Sequence, residues 1–573
     1  MGKTIAQKIV SQLIAAGVKR VHGVVGDSLN SIVDEIRQHD AIEWIHYRHE
    51  EAAAFAAGAE AQITGKLAVC AGSCGPGNLH LINGLYDCHR SMAPVLAIAA
   101  HIPSSEIGTG YFQETHPELV FRECSHYCEI ISSAKQMPRV LQIAMQTAVG
   151  QQGVAVIGLS GDVAMETVED DYLEHPLQYP NPVIRPSDAE LQELAQLINE
   201  AEAITLLCGS GCKNAHDELI ALGGTLAAPM VHALRGKAHV AYDNPYDVGM
   251  TGLIGYASGY HAMENSDLLI LLGTDFPYKD WYPKKSKIIQ VELRPERLGR
   301  RCKLDKGVVG EVKETLKALL PLLVPKIDRS HLDKALKDYS DSRKSLDAHA
   351  TFKAGNKLIH PEYLTKVIQD NAPAKTIYTV DVGTPTVWAA RYLNITKEQH
   401  LIGSFNHGSM ASAMPQAIGA QLEHPDYTVF SLSGDGGFAM LMGDLLTVLQ
   451  YNLPIKIVIY NNGSLGFVAM EMKAAGLVPF GTDLKNPDFA MMAIAMGIKG
   501  IRVDDAATVD QAIKEAIAHN GPVLLDVHVN PTELSMPPKV EFAQAKGFGL
   551  YAIKQIFEGK AGEVWDTVNT NFL

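Results

Sequence analysis

The chain has 573 residues, 47% of them hydrophobic and 20% charged, a globular composition with length for about three to four domains. A formal net charge of −15 argues against nucleic acid and against a general basic membrane patch. The eight cysteines form no CxxC pair or zinc-spaced cluster and read as reduced. No apolar run approaches the roughly 18 residues that a spanning helix needs.

Residues 1–20 read as an amphipathic helix that opens with a Thr4/Gln7 capping box. Lys3, Lys8 and Gln12 interrupt its apolar run, so it is not a signal peptide, and the cytoplasm is the default compartment. Apolar strands over 21–25, 42–46, 67–71 and 95–99 then alternate with helical stretches. Pro176, Pro180, Pro182 and Pro186 mark a linker. Further strands are expected over 204–207, 268–272 and 288–293, a polar segment over 338–357 reads as a second linker, and strand 376–380 follows. The expected fold is α/β, with three doubly wound parallel-sheet domains over 1–182, 183–335 and 336–530 and an amphipathic C-terminal tail over 531–573.

The third domain carries the most informative stretch. A strand over 429–432 runs into Gly434-Asp435-Gly436-Gly437, a helix is expected over 438–450, and a strand over 455–460 ends at Asn461-Asn462-Gly463-Ser464. A right-handed crossover makes these strands parallel. Asp435 and Asn462 then lie at carboxyl ends of strands, where open α/β sheets place ligands. A carboxylate, an amide oxygen and nearby carbonyls form a hard oxygen set suited to Mg2+ holding a diphosphate. The pattern alone also fits a plain βαβ unit with polar turns. Asp381-Val382-Gly383-Thr384 follows strand 376–380, where backbone N–H groups could hold phosphate; an ordinary strand–helix joint is the other reading.

Residues 437–460 separate Gly434-Asp435-Gly436 from Asn461-Asn462, and this spacing resembles the signature of thiamine diphosphate (ThDP)-dependent enzymes. Arg48-His49-Glu50, residues 70–80, residues 112–117 and residues 383–393 extend the resemblance. It implies that Glu50, otherwise a solvated helix start, is the catalytic acid hydrogen-bonded to the cofactor's pyrimidine, with Glu51 structural. It implies cofactor contacts from Asp381, Gly383, Gly408, Ser409 and Met410, with Met410 under the thiazolium. It extends them to Asp435, Gly436, Gly437, Asn462, Gly463, Ser464, Leu465, Gly466, Phe467 and Val468, with Mg2+ ligated by Asp435, Asn462 and Ser464. Phe467 is also a catalytic candidate, as an electron relay; a packed loop aromatic is the competing reading. Asp27 resembles an active-site acid of the decarboxylases and otherwise caps a helix.

The middle domain resembles the FAD domain of the ThDP oxidases and acetohydroxyacid synthases, although no GxGxxG opens it. The matching segments are Gly209-Ser210-Gly211, Arg235, Thr251-Gly252-Leu253-Ile254, Thr274-Asp275-Phe276-Pro277-Tyr278 and Glu292. A carboxylate at a strand end, such as Glu292, can bind a ribose hydroxyl, and Arg235 can take a pyrophosphate. In the tail, Leu550, Ile553, Phe557, Ala561 and Val568 recur at helical spacing, as in a docked helix or one lying on a bilayer.

Over nearly its whole length the chain resembles the membrane-associated bacterial pyruvate oxidases of the ThDP family. That resemblance implies oxidative decarboxylation of pyruvate to acetate and CO2 with ThDP, Mg2+ and FAD, and ubiquinone as electron acceptor. It implies a homotetramer with ThDP sites at subunit interfaces, activated by membrane phospholipid through the tail at the cytoplasmic face of the inner membrane. A phosphate- and O2-dependent oxidase making acetyl phosphate and an acetohydroxyacid synthase remain as alternatives. A non-enzymatic scaffold is disfavoured because Glu50, Asp435 and Asn462 are all present.

Overall fold

The computed structural model describes residues 2–168, 176–352, 355, 357–533 and 550–552. These residues form three six-stranded sheets, and every strand pair is parallel. In spatial order the first sheet is Glu43–His46, Arg20–Gly23, Ala68–Gly72, Val95–His101, Val154–Ser160 and Tyr127–Ile131. The second is Lys306–Val309, Lys287–Glu292, Leu268–Leu272, Ile204–Cys208, Met230–His232 and Asp247–Met250. The third is His400–Gly403, Thr376–Val380, Thr428–Gly434, Lys456–Asn461, Val523–His528 and Lys499–Val503. The α/β architecture is therefore as expected.

Its physical basis is burial on both faces. Every residue of Val95–His101, Val154–Ser160, Ile204–Cys208, Leu268–Leu272 and Lys456–Asn461 is buried, so these strands are near-continuous apolar runs between helical layers. The order of the second sheet reverses between Ile204–Cys208 and Leu268–Leu272, and that of the third between Thr376–Val380 and Thr428–Gly434. Such reversals leave a crevice at the carboxyl ends of the strands.

Two local expectations fail. The helix expected over 438–450 is broken into Asp435–Leu441 and Leu445–Gln450 by a 3-10 turn at Met442–Asp444. There the Asp444 carboxylate accepts bonds from the Arg48 N–H and the Thr447 hydroxyl, both at 2.8 Å, and so ties the break to the first domain. The polar segment over 338–357 is not a linker along its length, because Ser330–His349 is a 20-residue helix. Its Leu332 and Ala335 are buried, and Leu336, Tyr339 and Leu346 pack on neighbouring cores. The capping box at Thr4 and Gln7 is present and opens helix Ile5–Ala15. No described helix is long and apolar enough to cross a membrane. All eight cysteines are free. Apart from residues 550–552, the expected tail helix lies outside the described residues.

The first and third domains meet through the alanine-rich helix Glu50–Thr64 and the helix Ala413–Glu423. Their backbones approach so closely that a Cβ on Gly419 would sit 2.1 Å from the Ala56 carbonyl oxygen. Helix propensity alone favours alanine over a mid-helix glycine by about 1 kcal/mol. Here the clash reverses that sign, so Gly419→Ala is expected to destabilise the protein by about 1–3 kcal/mol, an overpacking cost. Thermal unfolding measures this, and a raised melting temperature would contradict the packing argument.

Candidate active site

The third-domain crevice gathers the cofactor candidates. Asp435, 2% exposed, begins helix Asp435–Leu441 directly after its strand. Its Oδ1 accepts from the Gly436 N–H at 3.0 Å, and its Oδ2 accepts from the Gly463 N–H at 2.8 Å and from Asn486 Nδ2 at 2.7 Å. Burial raises the carboxyl above its ordinary range, and these donors work against the rise. Asn462 Oδ1 accepts from the Ser464 N–H at 3.0 Å. The Asn462-Gly463-Ser464 turn is thus folded against the Asp435 carboxylate, and this oxygen set fits a hard cation. Gly463 has φ 66°, in the left-handed region. Leu465 and Leu484 tie the turn to residues 482–484, through Leu465 N–H to the Thr482 carbonyl and Leu484 N–H to the Gly463 carbonyl, both at 2.8 Å.

Asp381 is fully buried, and burial lifts its carboxyl to about 7 against the backbone N–H groups of Val382, Ser412 and Ala411. A Cβ on Gly437 would fall 1.9 Å from Asp381 Oδ2, so this position has no room for a side chain. The Asp381 carboxylate therefore braces the backbone, and the adjoining helix end remains for an anion. Helix Thr384–Tyr392 starts at Gly383 (φ 127°) without a side-chain cap. Its Pro385 and Thr384 lie 3.6 Å from where Cβ atoms on Gly434 and Gly466 would be. An uncapped helix start between two glycines suits a diphosphate. The Met410 methyl lies 3.7 Å from the Cβ position of Gly436, beside Leu465 and Leu484.

Loop 404–411 is pinned to the first domain. Ser404 Oγ donates to Asp87 Oδ1 at 2.8 Å, and Asn83 Nδ2 donates to Ser409 Oγ at 2.7 Å and to Glu51 Oε1 at 2.7 Å. Gly408 turns the loop at φ 83°. This gives Glu51 the structural part expected of it.

Glu50, 7% exposed, lies over the turn that follows strand Ala68–Gly72, with Oε1 3.0 Å from the Cβ position of Gly77. Its Oε2 is 2.9 Å from His80 Nδ1, and His80 stacks on His49 with ring centroids 4.3 Å apart. Asp27 Oδ1 accepts from the adjacent Ser28 N–H at 2.8 Å on an exposed turn and caps no helix, since neither Asp27–Leu29 nor Asn30–Arg37 has a side-chain cap. Among the described residues no hydrogen bond or ion pair joins Glu50 to Asp435, Asn462 or Ser464.

In the middle domain, the segments singled out from sequence follow the carboxyl ends of parallel strands. Gly209 and Gly273 meet at the reversal, where a Cβ on Gly209 would be 2.4 Å from the Gly273 carbonyl oxygen. Thr251 is 3% exposed and its hydroxyl has no hydrogen-bond partner, a buried polar atom that a ligand would satisfy. Gly252 (φ 94°) faces Phe276 and Tyr278; Thr274 is buried, and Pro277 and Tyr278 are exposed. Glu292, at its strand end, is raised by burial and accepts from the Arg294 N–H at 3.1 Å. Asp275 is engaged by Arg301 Nε at 2.7 Å and by Arg300, and Arg235 Nη2 donates to the Ser91 carbonyl at 3.2 Å.

Arg391, 5% exposed, links the two crevices. From the far end of helix Thr384–Tyr392 its Nε donates to the Ile254 carbonyl at 3.0 Å and its Nη2 to the Gly255 carbonyl at 3.3 Å. Ile254 and Phe467 both pack against the core of the third domain, and Tyr278 feels the charge of Glu471 on helix Gly466–Ala474. Val468 on that helix is exposed, while Tyr551 is buried beneath Lys473 of the same helix, 5.4 Å from ring centroid to Nζ. The sequence reading missed Asn486, Asp87 and Arg391. Asn486 is a lone amide before Pro487, and Arg391, although inside the 383–393 stretch, looks like an ordinary basic residue in a helix's last turn.

Three models of one family match the chain in order. They are the thiamine pyrophosphate enzyme N-terminal TPP binding domain over 3–119, the central domain over 191–319 and the C-terminal TPP binding domain over 381–527. A putative thiamine pyrophosphate-containing protein, YdaP, of Bacillus subtilis is 36% identical over 98% of both chains. The pyruvate oxidase of Lactiplantibacillus plantarum is 29% identical over 96% of this chain and 93% of its own. An uncharacterized 42.6 kDa protein of Pseudomonas amyloderamosa is 60% identical over 60% of this chain and 87% of its own. Acetolactate synthases are among the further relatives. The chain belongs to the thiamine pyrophosphate (thiamine diphosphate) enzyme family.

Proposed function

We propose that the protein is a pyruvate:quinone oxidoreductase that uses ThDP, Mg2+ and FAD. The observation that carries this reading is the pair of bonds from Arg391, on the helix that starts at the candidate diphosphate site, to Ile254 and Gly255, in the candidate flavin segment that holds the unpartnered Thr251 hydroxyl. Pyruvate and water give acetate and CO2 with release of an electron pair and a proton pair, and the quinone takes both to become quinol. When bound, ThDP supplies an electron sink for decarboxylation and FAD an acceptor for the electron pair.

The chain's own residues prepare those steps. Asp435, Asn462 and the Ser464 carbonyl would hold Mg2+, with the start of helix Thr384–Tyr392 against the diphosphate. Glu50 Oε2 holds or passes a proton, with His80 Nδ1 fixing its position at 2.9 Å. The segments at Thr251–Ile254 and Thr274–Tyr278 would hold the flavin. As the family resemblance implies, we assign the complete site to an interface between copies, Glu50 from one and the Asp435 group from another, within a homotetramer. Buried Tyr551 supports a tail docked beside helix Gly466–Ala474; membrane phospholipid would draw that tail away and bring the enzyme to the cytoplasmic face of the inner membrane. An acetohydroxyacid synthase would use the same cofactors without net oxidation, and a phosphate-dependent oxidase would deliver electrons to O2.

Anaerobic addition of pyruvate separates these readings. Bleaching of bound flavin, reoxidation by a soluble ubiquinone analogue rather than by O2, and acetate as product are expected. Acetolactate formed without bleaching would overturn the oxidase reading, and rapid reoxidation by O2 with acetyl phosphate would overturn the quinone assignment. Glu50→Gln should retain fold and flavin while turnover falls by about a hundredfold or more; wild-type turnover would remove Glu50 from the mechanism.

A further inference from the structure

The third domain holds a second cluster of metal-binding side chains, away from Asp435. His360 immediately precedes helix Pro361–Asn371, and Glu362 lies in its first turn. After strand Val523–His528 the chain returns to this point. Val529 bridges to Ile359, and the Asn530 N–H donates to the Ile359 carbonyl at 2.8 Å. Glu533 is thereby brought against the helix start. Its Oε2 lies 2.9 Å from His360 Nδ1 and 2.9 Å from Asn530 Nδ2.

One ring nitrogen and two carboxylate oxygens of His360, Glu362 and Glu533 all lie within 4.8 Å of one another. Glu362 is 4% exposed, and its Oε2 has no hydrogen-bond donor. A buried carboxylate facing another carboxylate needs a cation or a proton between them.

We propose that His360, Glu362 and Glu533 bind one divalent transition-metal ion, distinct from the Mg2+ expected at Asp435. Ligand atoms about 2.0–2.2 Å from a shared ion lie about 2.8–3.6 Å apart at octahedral to tetrahedral angles, and the hydrogen-bonded pair His360 Nδ1 and Glu533 Oε2, 2.9 Å apart, lies within that range. An imidazole with carboxylates suits Zn2+, Co2+ or Mn2+, whereas Mg2+ prefers oxygen ligands and retained water. The ion would cross-link the point where the third domain's last strand hands over to residue 533 with the start of helix Pro361–Asn371.

Co2+ is the probe, added to the full-length enzyme saturated with ThDP, FAD and excess Mg2+. Equilibrium dialysis should find one Co2+ per chain, with visible ligand-field absorption and a raised melting temperature. Glu362→Gln, which preserves shape, and His360→Asn should each weaken this uptake by about a hundredfold or more, since even outer-shell losses reach that scale. Absence of Co2+ uptake in the wild type would overturn the site and leave a proton shared by the two carboxylates. Unchanged uptake in both variants would assign the ion to another place and overturn it equally.

Discussion

A guanidinium at the end of helix Thr384–Tyr392 reaches across to two carbonyls of the neighbouring domain, and the relation between the two candidate cofactor crevices depends on it. The helix has nine residues, so its two ends are roughly 13 Å apart. One end is the uncapped start beside Gly434 and Gly466. The other is Arg391, bonded to Ile254 and Gly255. The Arg391 carbonyl in turn accepts from the Tyr256 hydroxyl at 2.8 Å and from Arg343 of helix Ser330–His349. Side chain and backbone of one residue thus hold the segment that begins with the unpartnered Thr251 hydroxyl. Charge-assisted bonds from a buried guanidinium are stronger and more directional than neutral ones.

A second buried group fixes the remaining domain. Asp87, 1% exposed, accepts from Ser404 Oγ at 2.8 Å and from Gln416 Nε2 at 3.2 Å, while the Arg235 charge from the middle domain acts on it. Burial raises its carboxyl to about 6, and these partners oppose the rise. All three domains therefore converge on one carboxylate. Together with the Gly419–Ala56 approach, this sets where Glu50 stands relative to loop 404–411.

Much of the architecture was legible in the sequence because parallel strands buried on both faces write themselves as short apolar runs. Those at 95–99, 204–207, 268–272 and 376–380 fall within strands of the structure. Strands at Tyr127–Ile131, Val154–Ser160, Met230–His232, Asp247–Met250, Lys306–Val309, His400–Gly403, Lys499–Val503 and Val523–His528 were not distinguished; shortness does not account for all of them, since Val154–Ser160 has seven residues and the four-residue strands Arg20–Gly23 and Glu43–His46 were expected. The helix Ser330–His349 was read as a linker because it buries only two residues, and its polar face dominates the composition. At the site, the motif residues Asp435, Asn462 and Gly463 come together because their roles are local in sequence. Asn486, Asp87 and Arg391 act through contacts between distant segments, and no local spacing records such contacts. Asp275 and Arg235, singled out by resemblance, also have protein partners, Arg300 and Arg301 for the first and the Ser91 carbonyl for the second, which no local spacing records.

The central claim is that Arg391 holds the candidate flavin segment in register with the candidate diphosphate-binding helix start. The most direct measurement is the FAD and ThDP affinity of Arg391→Met, determined on the same preparation. Loss of the two bonds to Ile254 and Gly255 should weaken FAD binding by about tenfold or more, equivalent to about 1.4 kcal/mol, while ThDP affinity stays close to wild type. Unchanged FAD affinity, or an equal loss of both cofactors, would contradict the account.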